Sequence, residues 1–97
     1  MKIYLSGKIS GLPPATYKRN FARHEQRVLA MYPDAKIVNP LRLTPFLGIK
    51  NWYCYMIADL WALLWCDAIS VQSNYHTSRG ALIEIRFAEL MGKTFVI

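Results

Sequence analysis

Short apolar runs alternate with longer amphipathic stretches along the chain. The apolar runs predict β-strands at residues 2–6, 35–39, 67–72 and 93–97. Between them, apolar positions recur at helical spacing over residues 15–32, 51–66 and 80–91. Residues 40–51 carry two prolines and a glycine without a clear period. This segment is therefore predicted to be a loop, which either covers a site or only connects two elements.

The β-α-β-α-β-α-β order predicts an α/β fold, a three-layer sandwich in which helices cover both faces of a four-stranded parallel sheet. Right-handed crossovers make 2-1-3-4 the natural strand order, with the first strand in the centre. The chain order reverses between strands 1 and 3, and ligands of such sheets bind outside the carboxyl ends of the strands there. The loops after these strands, residues 7–14 and 74–80, are therefore expected to meet at one site.

Composition narrows the class of partner. Ninety-seven residues, 54% of them hydrophobic, suffice for one domain, 1–97, with its own core. A net charge of +6 favours anionic partners such as nucleotides or phosphorylated substrates. Four basic residues share the first predicted helix at ordinary amphipathic spacing, so a solvated face is favoured over a nucleic-acid-binding surface. Those residues are Lys18, Arg19, Arg23 and Arg27, and nucleic acid is accordingly not an expected partner.

The cysteines and histidines indicate no metal site. Cys54 and Cys66 lie in an apolar helical stretch, where buried free thiols of a cytoplasmic protein are expected. His24 and His76 are remote in sequence from each other and from the cysteines, so no metal or other cofactor is expected. The chain starts directly with a strand, which predicts no signal peptide. The most apolar segment, 52–65, contains an aspartate and is too short to cross a membrane.

Two acidic residues lie on the apolar faces of predicted helices. Glu84 projects onto the stripe that holds Ala81, Ala88 and Met91, and Asp59 projects among apolar residues of the second helix. A carboxylate that faces a core is destabilising by several kcal/mol unless it is paired or used. Both residues are therefore candidates for a special role.

For either carboxylate alone, a structural role is as favoured as a functional one. Asp59 could cap a neighbouring loop or pair with an arginine such as Arg42, and Glu84 could pair with a basic residue in the core. Together, two inward carboxylates beside strand 3 favour function, because such pairs suit nucleophilic or general acid–base work on a glycosidic bond. Covalent catalysis would require Glu84 to be ionised.

The two loops at the predicted site carry groups that suit an anion. The first loop contains Gly7, Lys8, Ile9, Ser10 and Gly11. Its glycines allow close approach and its amides can point at an anion, although a plain tight turn is equally favoured. Ser78 is a good helix N-cap whose hydroxyl could also donate to an oxyanion. His76 is expected to be exposed, and Asn39 before Pro40 starts a turn.

The helix at 52–65 is apolar nearly all the way round. In so small a domain such a helix usually has a second burial partner, so a homo-oligomer, a dimer or tetramer, is expected to form through it. Its aromatic residues are favoured as core or interface groups over base-stacking groups.

Several segments, in this order, resemble a small bacterial and phage domain family of unknown function, itself similar to the nucleoside 2-deoxyribosyltransferase superfamily. The segments are residues 2–11, Asn39-Pro40, Trp52-x-x-x-Met56-x-x-Asp59 with Cys66-Asp67, and Ser78-x-Gly80-Ala81-x-x-Glu84 with Ala88 and Gly92. The similarity covers nearly the whole chain.

The resemblance implies a flavodoxin-like sandwich, often a homo-oligomer, with its site near the subunit interface. It implies that Glu84 attacks the anomeric carbon of a 2-deoxyribonucleoside or nucleotide, and that Asp59 handles the leaving base. Another base or water would then resolve the glycosyl-enzyme. The implied substrate-binding residues are Tyr4, Gly7, Lys8, Ile9, Ser10, Gly11, Asn39, Ser78 and Gly80.

The chain departs from the superfamily pattern at two positions, and the first departure bears on the substrate. Ser78 stands where nucleoside transferases carry an aspartate, whereas nucleotide N-hydrolases have serine there and a comparable first loop. A carboxylate would repel a 5′-phosphate, and a hydroxyl with loop amides would bind one. Leu82 stands where both branches often have glycine.

Three hypotheses follow from the sequence. The first is cleavage or transfer of the N-glycosidic bond of a (deoxy)nucleoside 5′-monophosphate, with Glu84 as nucleophile. The second is a non-catalytic module that binds or senses a nucleotide. The third is a basic domain that binds nucleic acid or protein.

Overall fold

The fold is a four-stranded parallel sheet flanked by helices, in a computed structural model that describes residues 1–43 and 52–96. The elements are β1 (Lys2–Ser6), α1 (Pro14–Met31), β2 (Lys36–Val38), α2 (Pro40–Leu43), α3 (Trp52–Leu64), β3 (Ala68–Val71), a 3₁₀ turn (Tyr75–Thr77), α4 (Arg79–Leu90) and β4 (Thr94–Val96). The strand order is β2-β1-β3-β4, and all pairs are parallel. The predicted flavodoxin-like α/β architecture with order 2-1-3-4 is confirmed.

Alternation along β1 sorts the core into two layers. Ile3 and Leu5 pack with the buried face of α1 on one side of the sheet. Tyr4 packs on the other side, with the α3 and α4 layer. Because side chains of a strand alternate between faces, Ser6 points to the same side as Tyr4. The central strand therefore directs two hydroxyl groups toward α3 and α4.

A buried polar pair joins α1 to the centre of the sheet. His24 is 3% exposed, and its Nε2 lies 2.7 Å from Ser70 Oγ of β3. Burial, and then the charge of Arg27, lowers the pKa of His24 to about 4. The histidine is therefore neutral in the folded protein near pH 7.

The predicted loop at 40–51 is wrong for its first residues. Pro40 begins the short helix α2, and Asn39 Oδ1 accepts the N–H of Leu41 at 2.9 Å. One capped turn is too short to show a helical period, which is why the sequence pattern missed it. The possible covering loop over 44–51 lies outside the described residues, as do the side chain of Trp52 and the last residue of the fourth predicted strand, Ile97.

Helix α3 buries one face and leaves an apolar face in solvent. Met56 and Leu63 are buried, whereas Ile57, Trp61 and Trp65 are 67%, 64% and 64% exposed. The rings of Trp61 and Trp65 pack edge to face at 6.1 Å between centroids. The exposed side chains lie one turn apart and form a continuous stripe, which we call the α3 stripe.

Two details of the predicted burial differ in the structure. Met91 does not share the buried stripe of Glu84, because α4 ends at Leu90 and Met91 is 48% exposed. Both cysteines are free, but only Cys66 is buried, and burial raises the pKa of its thiol to about 11. Among the residues that the structure describes, no helix is long and apolar enough to cross a membrane.

Candidate functional site

A cavity of about 260 Å³ opens at the carboxyl ends of β1 and β3. Its lining is Gly7, Ile9, Ser10, Tyr17, Pro40, Leu41, Tyr55, Met56, Asp59, Ser78, Gly80, Ala81 and Glu84. Binding pockets for small molecules commonly span about 300–1,000 Å³, so this cavity suits one small ligand. The predicted meeting of the loops after strands 1 and 3 is confirmed.

Two hydroxyl groups of β1 hold the Glu84 carboxylate. Tyr4 Oη donates to Oε2 at 2.5 Å, and Ser6 Oγ donates to Oε1 at 2.7 Å. Glu84 is only 4% exposed, and no basic residue of the described chain pairs with it. Within residues 1–43 and 52–96, the structure therefore does not support the alternative of a core salt bridge for Glu84. A carboxylate offers about four lone-pair positions, so two hydrogen bonds leave others directed elsewhere.

Burial and these two hydrogen bonds together set the pKa of Glu84. Burial raises its pKa to about 7, while the hydrogen bonds from Tyr4 and Ser6 act in the opposite direction. Burial, and then the charge of Glu84, raises the pKa of Tyr4 well above its usual 10, so that tyrosine stays a donor. Near neutral pH, Glu84 is therefore partly ionised in spite of its burial.

Asp59 enters the same cavity from α3 but has a different environment. It is 9% exposed, and Oδ1 is buried without a hydrogen-bond partner among the described residues. Burial, and then the charge of Glu84, raises the pKa of Asp59 to about 8. Arg42 bonds to Glu25 at 2.8 Å instead, so the suggested pairing of Asp59 with Arg42 is wrong.

The chain matches one family model over residues 1–97, a domain of unknown function designated DUF4406. The chain belongs to this family. A search among curated proteins found no match.

In this DUF4406 domain, the first loop is held against the second. Lys8 donates its backbone N–H to Asn74 Oδ1 at 3.3 Å and its ammonium to Thr77 Oγ1 at 3.0 Å. Gly7 lies against Gln72, where an added Cβ would come within 2.4 Å of the side-chain Cδ. A side chain at position 7 would therefore require the amide end of Gln72 to move away from the loop.

Helix α4 begins at the cavity with Ser78 as its N-cap. Ser78 Oγ accepts the N–H of Ala81 at 3.1 Å, which is its predicted capping role. That bond leaves the hydroxyl proton for another acceptor, and Ser78 lines the cavity. Gly80 also lines the cavity, where an added Cβ would make only ordinary contact with Met56 at 3.6 Å.

The structure brings together most, but not all, of the predicted site residues. The predicted residues that line the cavity are Gly7, Ile9, Ser10, Asp59, Ser78, Gly80 and Glu84. Tyr4 lies behind Glu84, and Lys8 connects the two loops. Gly11 and Asn39 do not line the cavity: Gly11 turns the loop at φ 85°, and Asn39 caps α2. His76 is exposed, as expected, and its ring lies 4.4 Å from that of Tyr75.

Sequence reasoning missed several contributors to the site. Ser6 was not predicted, although alternation from Tyr4 along β1 would have placed it on the same face. The cavity walls also include Tyr17, Pro40, Leu41, Tyr55, Met56 and Ala81. Tyr17 carried only a helical-spacing signal, which does not separate cavity walls from core. Tyr55 was weighed as a base-stacking residue, but a core or interface role was favoured for it. Among the described residues, no group of three or more His, Cys, Asp or Glu side chains could hold a metal ion.

Proposed function

We propose that this domain cleaves or transfers the N-glycosidic bond of a (deoxy)nucleoside 5′-monophosphate, and that its family belongs to the nucleoside 2-deoxyribosyltransferase superfamily. The observation that carries the proposal is a pair of buried carboxyl groups at one small cavity, Glu84 and Asp59. Their surroundings differ: two hydroxyls hold Glu84, while Asp59 has an unpartnered oxygen. When two carboxyl groups have different environments, their pKa values differ, and one can act as the nucleophile while the other acts as the general acid.

In the proposed reaction, an oxygen of ionised Glu84 forms a bond to the anomeric carbon. The carbon–nitrogen bond breaks, its electrons pass to the base, and protonated Asp59 gives the base a proton. The pKa values of about 7 for Glu84 and about 8 for Asp59 support these starting forms near neutral pH. Asp59, now a carboxylate, then takes a proton from water, or from an incoming base, that attacks the same carbon and releases Glu84.

The 5′-phosphate would bind between the two loops. Ser78 offers a hydroxyl proton, and Gly7, Ile9 and Ser10 of the first loop line the same cavity, where their backbone amides would donate to the phosphate. The Lys8 ammonium bonds to a neutral threonine rather than a carboxylate, so it retains a full positive charge beside the loop. The apolar walls given by Tyr17, Tyr55 and Met56 would surround the sugar and base.

The test is release of free base. The protein is incubated with each deoxynucleoside monophosphate, and free base and 2-deoxyribose 5-phosphate are separated by chromatography. Glu84→Gln should abolish release. Glu89→Gln is the matched control, because Glu89 is an exposed carboxylate on the same helix and should not affect turnover.

Three other outcomes would change the conclusion. Binding of a monophosphate without release would assign the domain to nucleotide sensing. Release that persists in Glu84→Gln would remove Glu84 as the nucleophile. Binding of neither nucleosides nor nucleotides would leave the domain as a basic interaction module.

We also propose that a second copy of the chain covers the α3 stripe. Three large apolar side chains about two-thirds exposed are costly in water, and a two-fold dimer would bury the same stripe of both copies. Trp61→Glu should lower the mass measured by light scattering to that of a monomer. Leu90→Glu, at an apolar side chain 73% exposed on α4, should not. A native protein that is monomeric at high concentration would overturn the proposal.

A further inference from the structure

Folding makes the surface of the protein more positive than its net charge suggests, because it buries acidic residues. The sequence has twelve basic and six acidic residues. Two of the six acids, Asp59 and Glu84, are buried at the cavity. Elsewhere in the chain, twelve basic residues therefore stand against four acidic ones, a formal balance of +8. Solvent faces a more positive surface than the net charge indicates.

Three arginines form a line on the solvent face of α1. Arg19, Arg23 and Arg27 are all exposed and follow one another at four-residue spacing, a rise of about 6 Å each in an α-helix. The helix buries its other side through Phe21 and Val28. We call Arg19, Arg23 and Arg27 the α1 arginine stripe.

No acidic group neutralises this stripe among the described residues. The only acid of α1 is Glu25, and it is bonded to Arg42 at 2.8 Å. None of the three arginines of the stripe forms an ion pair within residues 1–43 and 52–96. The three guanidinium groups therefore keep their donors for a partner outside the domain.

The side chains around the stripe decide which anionic partner fits. The exposed neighbours of the stripe on α1 are Lys18, Ala22, Gln26, Ala30 and, one turn beyond Arg27, Met31, which is 49% exposed. One half-exposed methionine is a small apolar surface for a membrane, and none of these neighbours offers an aromatic ring to a base. Arginine recognises phosphate oxygens through paired donors. We propose that the α1 arginine stripe binds the phosphate backbone of duplex nucleic acid without reading its sequence. This revises the expectation from the sequence, in which the pairing of Glu25 with Arg42 was not visible.

The proposed surface is separate from the cavity. The stripe faces solvent, whereas Tyr17 of the same helix lines the cavity. A deoxynucleoside monophosphate should therefore not displace a bound duplex, and Glu84→Gln should bind the duplex as the native protein does. Backbone binding at the stripe does not depend on the proposed glycosidase activity.

The test is fluorescence anisotropy of a short labelled duplex at several salt concentrations. Three phosphate contacts predict a slope of log K against log salt of about −2.7, or a loss of about 40-fold between roughly 50 and 200 mM salt. The triple variant Arg19→Gln, Arg23→Gln, Arg27→Gln should lose most binding and most of the slope. The control Lys2→Gln, Lys36→Gln, Arg86→Gln removes three exposed charges elsewhere and should keep both.

Each other result overturns the proposal. The stripe is not the site if both triple variants weaken binding equally, because the effect then follows net charge alone. A native protein that does not bind the duplex at low salt excludes this partner. Binding to vesicles of phosphatidylcholine and phosphatidylserine without binding to the duplex would assign the stripe to a membrane surface instead. Circular dichroism of both triple variants checks that the fold is retained.

Discussion

Replacement of Asp59 by asparagine should flatten the dependence of stability on pH. The native fold keeps a proton on Asp59 up to a pKa of about 8, whereas the unfolded chain releases it near the ordinary value of 3.8. A raised carboxyl pKa in the folded state means that stability is present at low pH and is lost as pH rises toward the folded pKa. The carboxyl of Asp59 is 9% exposed, so solvent screens little of this effect.

The size of the effect follows from the proton balance. Between about pH 5 and 8, Asp59 lowers the free energy of unfolding by roughly 4 kcal/mol, at about 1.4 kcal/mol per pKa unit. Glu84, with a folded pKa of about 7, lowers it by roughly 2 to 3 kcal/mol over the same range. His24 has the opposite effect. Because its folded pKa is about 4, it lowers the free energy of unfolding by roughly 2 kcal/mol at the acidic limit of this pH range and hardly at all at the alkaline limit. The native protein should therefore lose about 4 kcal/mol over this range.

The assay is urea unfolding followed by circular dichroism at several values of pH. Asp59→Asn should show almost no change in unfolding free energy over that range, because the contributions of Glu84 and His24 nearly cancel. Asp34→Asn, at an exposed carboxylate, should retain the full native dependence. If Asp59→Asn loses as much stability with rising pH as the native protein, Asp59 is not a buried protonated group and the proposed acid is lost.

Three further predictions concern the groups around Glu84 and the two loops. Ser6→Ala removes a hydrogen bond to Glu84, so the pKa of that carboxyl should rise above about 7 in a ¹³C NMR titration. Gly7→Ala places a Cβ against the movable amide end of Gln72 and should lower the free energy of unfolding by about 1 kcal/mol in urea, the low end of the cost of overpacking. Ser78→Ala removes the α4 cap and should cost about 1 kcal/mol, whereas Ser78→Gly should cost only a few tenths. An unchanged titration or unfolding midpoint would contradict the contact concerned.

Much of the fold was predictable because its signals are local. Runs with β-strand and helical periods gave the element order, and the right-handedness of crossovers favoured the strand order 2-1-3-4. The switch-point rule then placed the loops after β1 and β3 together. Helix α2 was not predicted because a single turn is too short to show a helical repeat of apolar residues. Its start depends instead on the hydrogen bond that the Asn39 side chain accepts.

A site residue could be predicted from the sequence where its polarity differs from that of the helix face on which it lies. Glu84 and Asp59 are acids on apolar helix faces, so a helical wheel is enough to select them. Ser6 is an unexceptional residue at the end of a strand, and Tyr17 and Tyr55 are ordinary aromatic residues in helices. Their roles arise only when β1, α1 and α3 meet at the cavity.

The sequence by itself determined that two carboxyl groups face inward, because the polarity pattern of a helix needs no neighbours. Only the tertiary structure decided that their environments differ. The two hydroxyls of β1 reach Glu84 across 78 and 80 residues of chain, while an oxygen of Asp59 on the facing helix has no partner among the described residues. The physical reason is that burial and hydrogen bonding, which set the pKa of each carboxyl, depend on distances between elements remote in sequence.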